Sequence, residues 1–187
     1  SVNGKMKKLT HIDPKGEAKM VDVSAKPVQQ RAATARGEIR MEKETLRLIQ
    51  RDKIAKGNVL ATARIAGIQA AKRTDDLIPL CHPLPINHCE VGFEFPKAGN
   101  VIIITATAKV AAQTGVEMEA LTAVTVAALT VYDMCKAIDR GMQVESVGLL
   151  RKRGGRSGDF MPFRLNATEK RAAALLSSVE QVPRMIE

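Results

Sequence analysis

From Ala120 to Tyr132 the chain runs thirteen residues, "ALTAVTVAALTVY", without a charge, and Leu, Val, Ala and Thr fall on every side of the helical wheel. Its flanks mark a helix: "TGVEME" before it offers Thr114-x-x-Glu117, the pattern of a capping box, and Gly141 after "DMCKAIDR" supplies a stop. A helix that is apolar all round has to be buried all round. One sheet covers one face only, so the remaining cover comes from a second copy of the chain or from the C-terminal segment. No run of about 18 or more apolar residues occurs, and no membrane span is expected.

The segments around this helix alternate in kind. Residues 1–20 read as a flexible arm with turn signals at Asp13-Pro14 and Lys15-Gly16. "TARGEIRM" is a strand, "EKETLRLIQRDKI" a helix with acidic residues in its first turn, and "VLATARIAGIQAAKR" a second helix with Asn58 as N-cap and Lys72 and Arg73 at its end. "CEVGFEF" and "NVIIITATAKV" make a hairpin through "PKAGN", and "MQVESVGLL" is a final strand after the long helix. The order strand, helices, strand, strand, helix, strand is the split βαβ pattern of a ferredoxin-like α+β fold, an antiparallel sheet with helices on one face. One domain spans 21–163, and 164–187 form a tail or a short amphipathic helix.

Charge and composition narrow the function. A net charge of +9 and a pI near 9.7 call for an anionic partner. Aromatic residues make up only 3% of the chain, with no Trp and one Tyr, so platforms for base stacking are scarce. A small phosphorylated substrate is therefore favoured over nucleic acid. Three cysteines, an odd number without framework spacing, suit a reducing cytoplasm, and "SVNGKMKKLTHID" lacks the apolar run of a secretory signal.

Five groups of residues carry possible chemistry. Cys81, His82, His88 and Cys89 have the composition of a zinc site, but each pair is adjacent, and neighbours on an extended chain point to opposite faces. No metal is expected. Asp133 and Lys136, three residues apart, share a helix face; an ordinary salt bridge on a solvated last turn explains the same spacing. Glu119 lies fourteen residues earlier, about 21 Å along the axis, so one small ligand meets both only if they come from two copies of the chain. Glu117 is accounted for by the capping box alone. Lys56 sits beside the N-terminus of the second helix, where an intervening anion resolves the conflict with the dipole and a water-facing loop lysine is the plain alternative. "RKRGGRSG", 151–158, pairs four cations with three glycines, a phosphate-binding composition without P-loop order.

"THIDPKGEAKMVDVSAK", "KGNVLATARIAGIQAAKRTDDLIPLCHPL", "TGVEMEALTAVTVAALTVYDMCKA" and "LLRKRGGRSGDF" together resemble the signature blocks of the molybdenum cofactor biosynthesis protein C family, over about residues 9–160. The resemblance implies ferredoxin-like subunits in a homohexamer, a trimer of dimers with sites at a dimer interface. It implies a lyase that converts a 3′,8-cyclised dihydro-GTP, made upstream by a radical S-adenosylmethionine enzyme, to cyclic pyranopterin monophosphate and pyrophosphate. By position it assigns Asp133, Lys136 and Lys56 to catalysis. Leu80, Cys81 and His82 of "LCHP", Glu117, Met118 and Glu119 of "GVEMEA", and Lys152 and Arg156 of the basic block go to substrate binding, with Lys26 and Arg31 reaching phosphate from the N-terminal segment. Arg156 stands where the family more often has lysine. No tightly bound cofactor is implied; Mg²⁺ accompanying the triphosphate stays open. An RNA-binding module of the same shape and an enzyme acting on a different nucleoside triphosphate are the competing functions.

Overall fold

A computed structural model describes residues 12–13, 15–97, 99–155 and 158–161 of the chain. The elements are β1 (Gln29–Arg40), α1 (Lys43–Gln50), α2 (Val59–Lys72), α3 (Thr74–Leu77), β2 (His88–Glu94), β3 (Val101–Ala112), α4 (Glu117–Cys135) and β4 (Gln143–Arg153). They form an α+β fold on one antiparallel sheet of order β2-β3-β1-β4. In the β1–β3 register Ala33 faces Ala108, Ala35 faces Ala106 and Ile39 faces Ile102, all of them buried. Side chains alternate along a strand, so this apolar row has a polar row behind it. There Arg36 pairs with Glu38 at 2.7 Å and Arg40 with Glu145 at 2.6 Å.

Small residues on the apolar row let the helices lie close. A Cβ at Gly37 of β1 would come within 2.7 Å of Val124 Cγ1 on α4, and one at Gly67 of α2 within 2.9 Å of the Ala123 carbonyl and 3.1 Å of Val91 on β2. Thus α2 and α4 pack on each other and on the same face of the sheet. Asn58 starts α2 as its sequence position implies, with Oδ1 accepting the Ala61 N–H at 2.8 Å.

Nine of the nineteen residues of α4 are buried. Its other face, with Leu121, Thr125 and Val126 half-buried and Leu129 53% exposed, is uncharged and not fully covered by the described residues of one copy. By length and composition α4 also passes for a membrane span, which the absence of a long apolar run did not anticipate. The core helix of such a fold meets the same test, and α4 packs against every strand of the sheet.

Several boundaries differ from the sequence expectation. β1 begins at Gln29 rather than Thr34, because the far end of β3 gives Gln29–Ala33 partners at 108–112. β4 runs on to Arg153 and takes in the start of the basic block. The capping box at Thr114 is not formed. The residue that caps α4 is Val116, without a side-chain hydrogen bond, and the Glu117 carboxylate instead meets Lys152 Nζ of β4 at 2.5 Å. The helix stops at Cys135, and Asp139 ties down the following turn, accepting the N–H groups of Gly141 at 3.0 Å and Glu42 at 2.8 Å. The turn signalled near Asp13 is present, with the Gly16 N–H donating to the Asp13 carbonyl at 3.0 Å. Most of the expected arm and all of the 164–187 segment lie outside the described residues.

Candidate active site

The two ends of α4 carry two separate clusters. At the C-terminal end the Asp133 carboxylate stands between two ammonium groups: Lys136 Nζ lies 2.6 Å from Oδ1 and Lys56 Nζ 3.7 Å from Oδ2. Lys136 arrives by its i,i+3 spacing. Lys56 arrives from the turn before α2, and its ammonium also donates to the Asp133 carbonyl at 2.8 Å. That carbonyl belongs to the last turn of α4, where a cation suits the helix dipole. The hydrogen bond from Lys136, then the charges of Lys136 and Lys56, hold the Asp133 carboxyl below the usual carboxylate range, while Asp133 holds the Lys136 ammonium above its usual value. The three formal charges sum to +1, a balance that favours an anion nearby.

At the N-terminal end, α4 opens on a cavity of about 710 Å³, a size suited to a small molecule. Glu117, Met118 and Glu119 line it from the first turn of α4, Leu80, Cys81 and His82 from the loop after α3, and Lys26 from the N-terminal segment. The structure therefore gathers seven of the proposed substrate-binding residues around one space. His82 Nε2 lies 2.7 Å from the Val21 carbonyl, which can only accept, so Nε2 carries the proton. Arg31 does not line the cavity: its guanidinium donates to the carbonyls of Ala112 and Gln113, each at 3.2 Å. Lys152 is engaged with Glu117, and Arg156 lies outside the described residues. Val21, Val23, Ile78, Leu84 and Thr114 complete much of the wall. Thr114 had been noted only as a cap, and the other four had not been singled out, because lone apolar residues in loops carry no periodic signal.

Glu119 is 3% exposed, and burial pushes its carboxyl up to about 7, with the charges of Glu117 and Asp75 adding to the effect. The Cys81 thiol is raised too, first by burial and then by Glu119. The Glu119 shift has a testable consequence for stability. Below the ordinary value of 4.5 the group is protonated whether the chain is folded or not; between 4.5 and about 7 only the unfolded chain ionises, so stability falls as pH rises through that window. Glu119→Gln stays neutral throughout. Its stability relative to wild type should rise from pH 4.5 to 7 by up to about 3 kcal/mol and then level off, as read from urea unfolding across pH; a constant difference would contradict the assigned burial.

The His/Cys stretch separates in space. His88 faces Lys109 across the strand pair and lies 3.6 Å from Glu90, while its neighbour Cys89 faces Ala108 in the apolar row. Among the described residues no group of three or more His, Cys, Asp or Glu side chains is arranged to hold a metal ion.

A family model described as the MoaC family matches residues 20–155. The chain belongs to the MoaC family. Curated relatives named cyclic pyranopterin monophosphate synthase are similar over nearly their full length. That of Parvibaculum lavamentivorans is 60% identical over 154 residues, 82% of this chain and 96% of the relative. That of a Roseiflexus species is 59% identical over 156 residues, 83% and 99% of the two chains, and that of Chloroflexus aurantiacus 58% over 152, 81% and 93%. Both clusters of this MoaC-family chain fall inside the matched span, as do Lys26, Arg31 and Lys152.

Proposed function

We propose that the chain is a lyase of molybdenum cofactor biosynthesis that converts (8S)-3′,8-cyclo-7,8-dihydroguanosine 5′-triphosphate to cyclic pyranopterin monophosphate and pyrophosphate. Its membership in the MoaC family, with relatives of that name at about 60% identity, carries the reading. The geometry supplies the kinds of group the reaction needs. Closing the cyclic phosphate requires a substrate hydroxyl to lose its proton, attack the α-phosphorus and expel pyrophosphate, and rebuilding the ring requires proton donors and acceptors. Asp133, Lys136 and Lys56 form the acid/base cluster: the Lys136 ammonium donates, Asp133 places it, and Lys56 shares proton transfer or holds phosphate. Glu119, titrating near neutrality, grips the amide edge of the guanine-derived ring, and His82 binds ring or phosphate. Lys26, Arg31, Lys152 and Arg156 offset the triphosphate charge, and Mg²⁺, where it takes part, arrives with the triphosphate as part of the substrate.

The two clusters are fourteen residues apart on one helix, about 21 Å along its axis. A single site therefore takes the first turn of α4 from one copy and the last turn from another. The open uncharged stripe along α4 favours that arrangement, within a homohexamer built as a trimer of dimers. The sheet order β2-β3-β1-β4, with both long helices on one face, is the basis for placing the subunit among ferredoxin-like folds. We place the enzyme in the cytoplasm, supplied by a radical S-adenosylmethionine enzyme.

Purified protein incubated with the cyclised substrate should release one pyrophosphate per pterin formed and should leave GTP unchanged. Release of pyrophosphate from GTP at a comparable rate would transfer the site to a different triphosphate chemistry.

A further inference from the structure

Residues 21–26 belong to no helix or strand, yet they form one wall of the cavity. The segment is held at two points. Upstream, the Val21 carbonyl receives His82 Nε2 at 2.7 Å. Downstream, Gln113 Nε2 lies 3.0 Å from the Lys26 carbonyl and 3.3 Å from the Ser24 carbonyl. Both partners of that amide are acceptors, so its NH₂ must face them and its orientation is set. Gln113 acts on its other side as well, its backbone carbonyl receiving Arg31 Nη2 at 3.2 Å. It stands in the turn between β3 and α4, four residues before Glu117.

We propose that Gln113 is a positioning residue: its side chain anchors the 21–26 strap so that Lys26 is held in the cavity wall, while its backbone carbonyl orients Arg31. One residue thereby fixes Lys26 in the cavity wall and Arg31 beside the turn that precedes α4. A lysine on a free strap would spend most of its time in water; anchoring its backbone raises the fraction in which the ammonium meets an anion in the cavity. The substrate half of this inference rests on the proposed function, since it takes that anion to be the triphosphate.

Gln113→Met keeps the length of the side chain and the backbone carbonyl, adds no charge and removes the two donated hydrogen bonds. Amide hydrogen exchange in a peptide covering 20–27 should speed up in this variant while β3 exchanges as in wild type. The KM for the cyclised substrate should rise about tenfold, the equivalent of one or two ordinary hydrogen bonds, with little change in kcat. Lys26→Met should raise KM by a similar factor, and the double variant should be no worse than Lys26→Met alone. Unchanged exchange at 20–27 would overturn the anchor. Additive effects on KM, or a wild-type KM in either single variant, would overturn the positioning of Lys26. Failure of the wild type to release pyrophosphate would refute the proposed reaction instead, and the exchange comparison would still decide whether Gln113 holds the strap.

Discussion

Asp133→Asn should fold as wild type does and lose about 10²–10⁴-fold in kcat, the range removed with a general acid or base. Asparagine keeps the shape of the side chain but not its charge. The Lys136 ammonium, 2.6 Å from Oδ1, then loses the partner that places it and holds its proton, and Lys56 keeps only its bond to the helix carbonyl. Asp133 and both lysines are exposed, so the fold depends little on them. Turnover of the cyclised substrate measured beside the thermal midpoint separates the two effects. A folded, fully active variant would remove Asp133 from the mechanism.

Gly67→Val should be among the most destabilising single changes, by about 3 kcal/mol, the upper range for overpacking. Even the first added carbon would lie 2.9 Å from the Ala123 carbonyl on α4 and 3.1 Å from Val91 on β2, and a backbone carbonyl within a helix cannot turn aside. The gain in helix propensity over glycine, well under 1 kcal/mol for valine, does not offset this. Activity should fall as well. Pushing α2 off α4 displaces the turn at its N-terminus, which carries Lys56 to Asp133. A urea midpoint equal to that of wild type would show that the helices are not in such close contact.

Much of this was legible where local chemistry decides. Asn58 caps α2 through its own side chain, "PKAGN" joins β2 to β3, and the three-residue spacing of Asp133 and Lys136 produces the ion pair it suggests. The element order alone gave the α+β class. Local patterns failed where a distant partner intervened. The capping box was a sound pattern that lost to Lys152, thirty-five residues away, and β1 starts early because β3 is long enough to pair with residues that show no alternation of their own. Lys56 reaches Asp133 across seventy-seven positions, and Gln113 reaches Lys26 across eighty-seven; no spacing rule foresees either. The reading of α4 as apolar on every side held for its composition, but the described residues of one copy bury only part of its circumference.

Under the proposed function, the clusters at opposite ends of α4 serve one site shared between two copies. Asp133→Asn disables one end, and Glu119→Leu, which fills the buried position without a carboxylate, disables the other. Each variant alone should be inactive. Co-expressed, they should form mixed dimers in which one of the two sites receives both intact halves, restoring about a quarter of wild-type turnover for random pairing. Mixed oligomers that contain both variants, each folded, and still release no pyrophosphate would contradict a shared site.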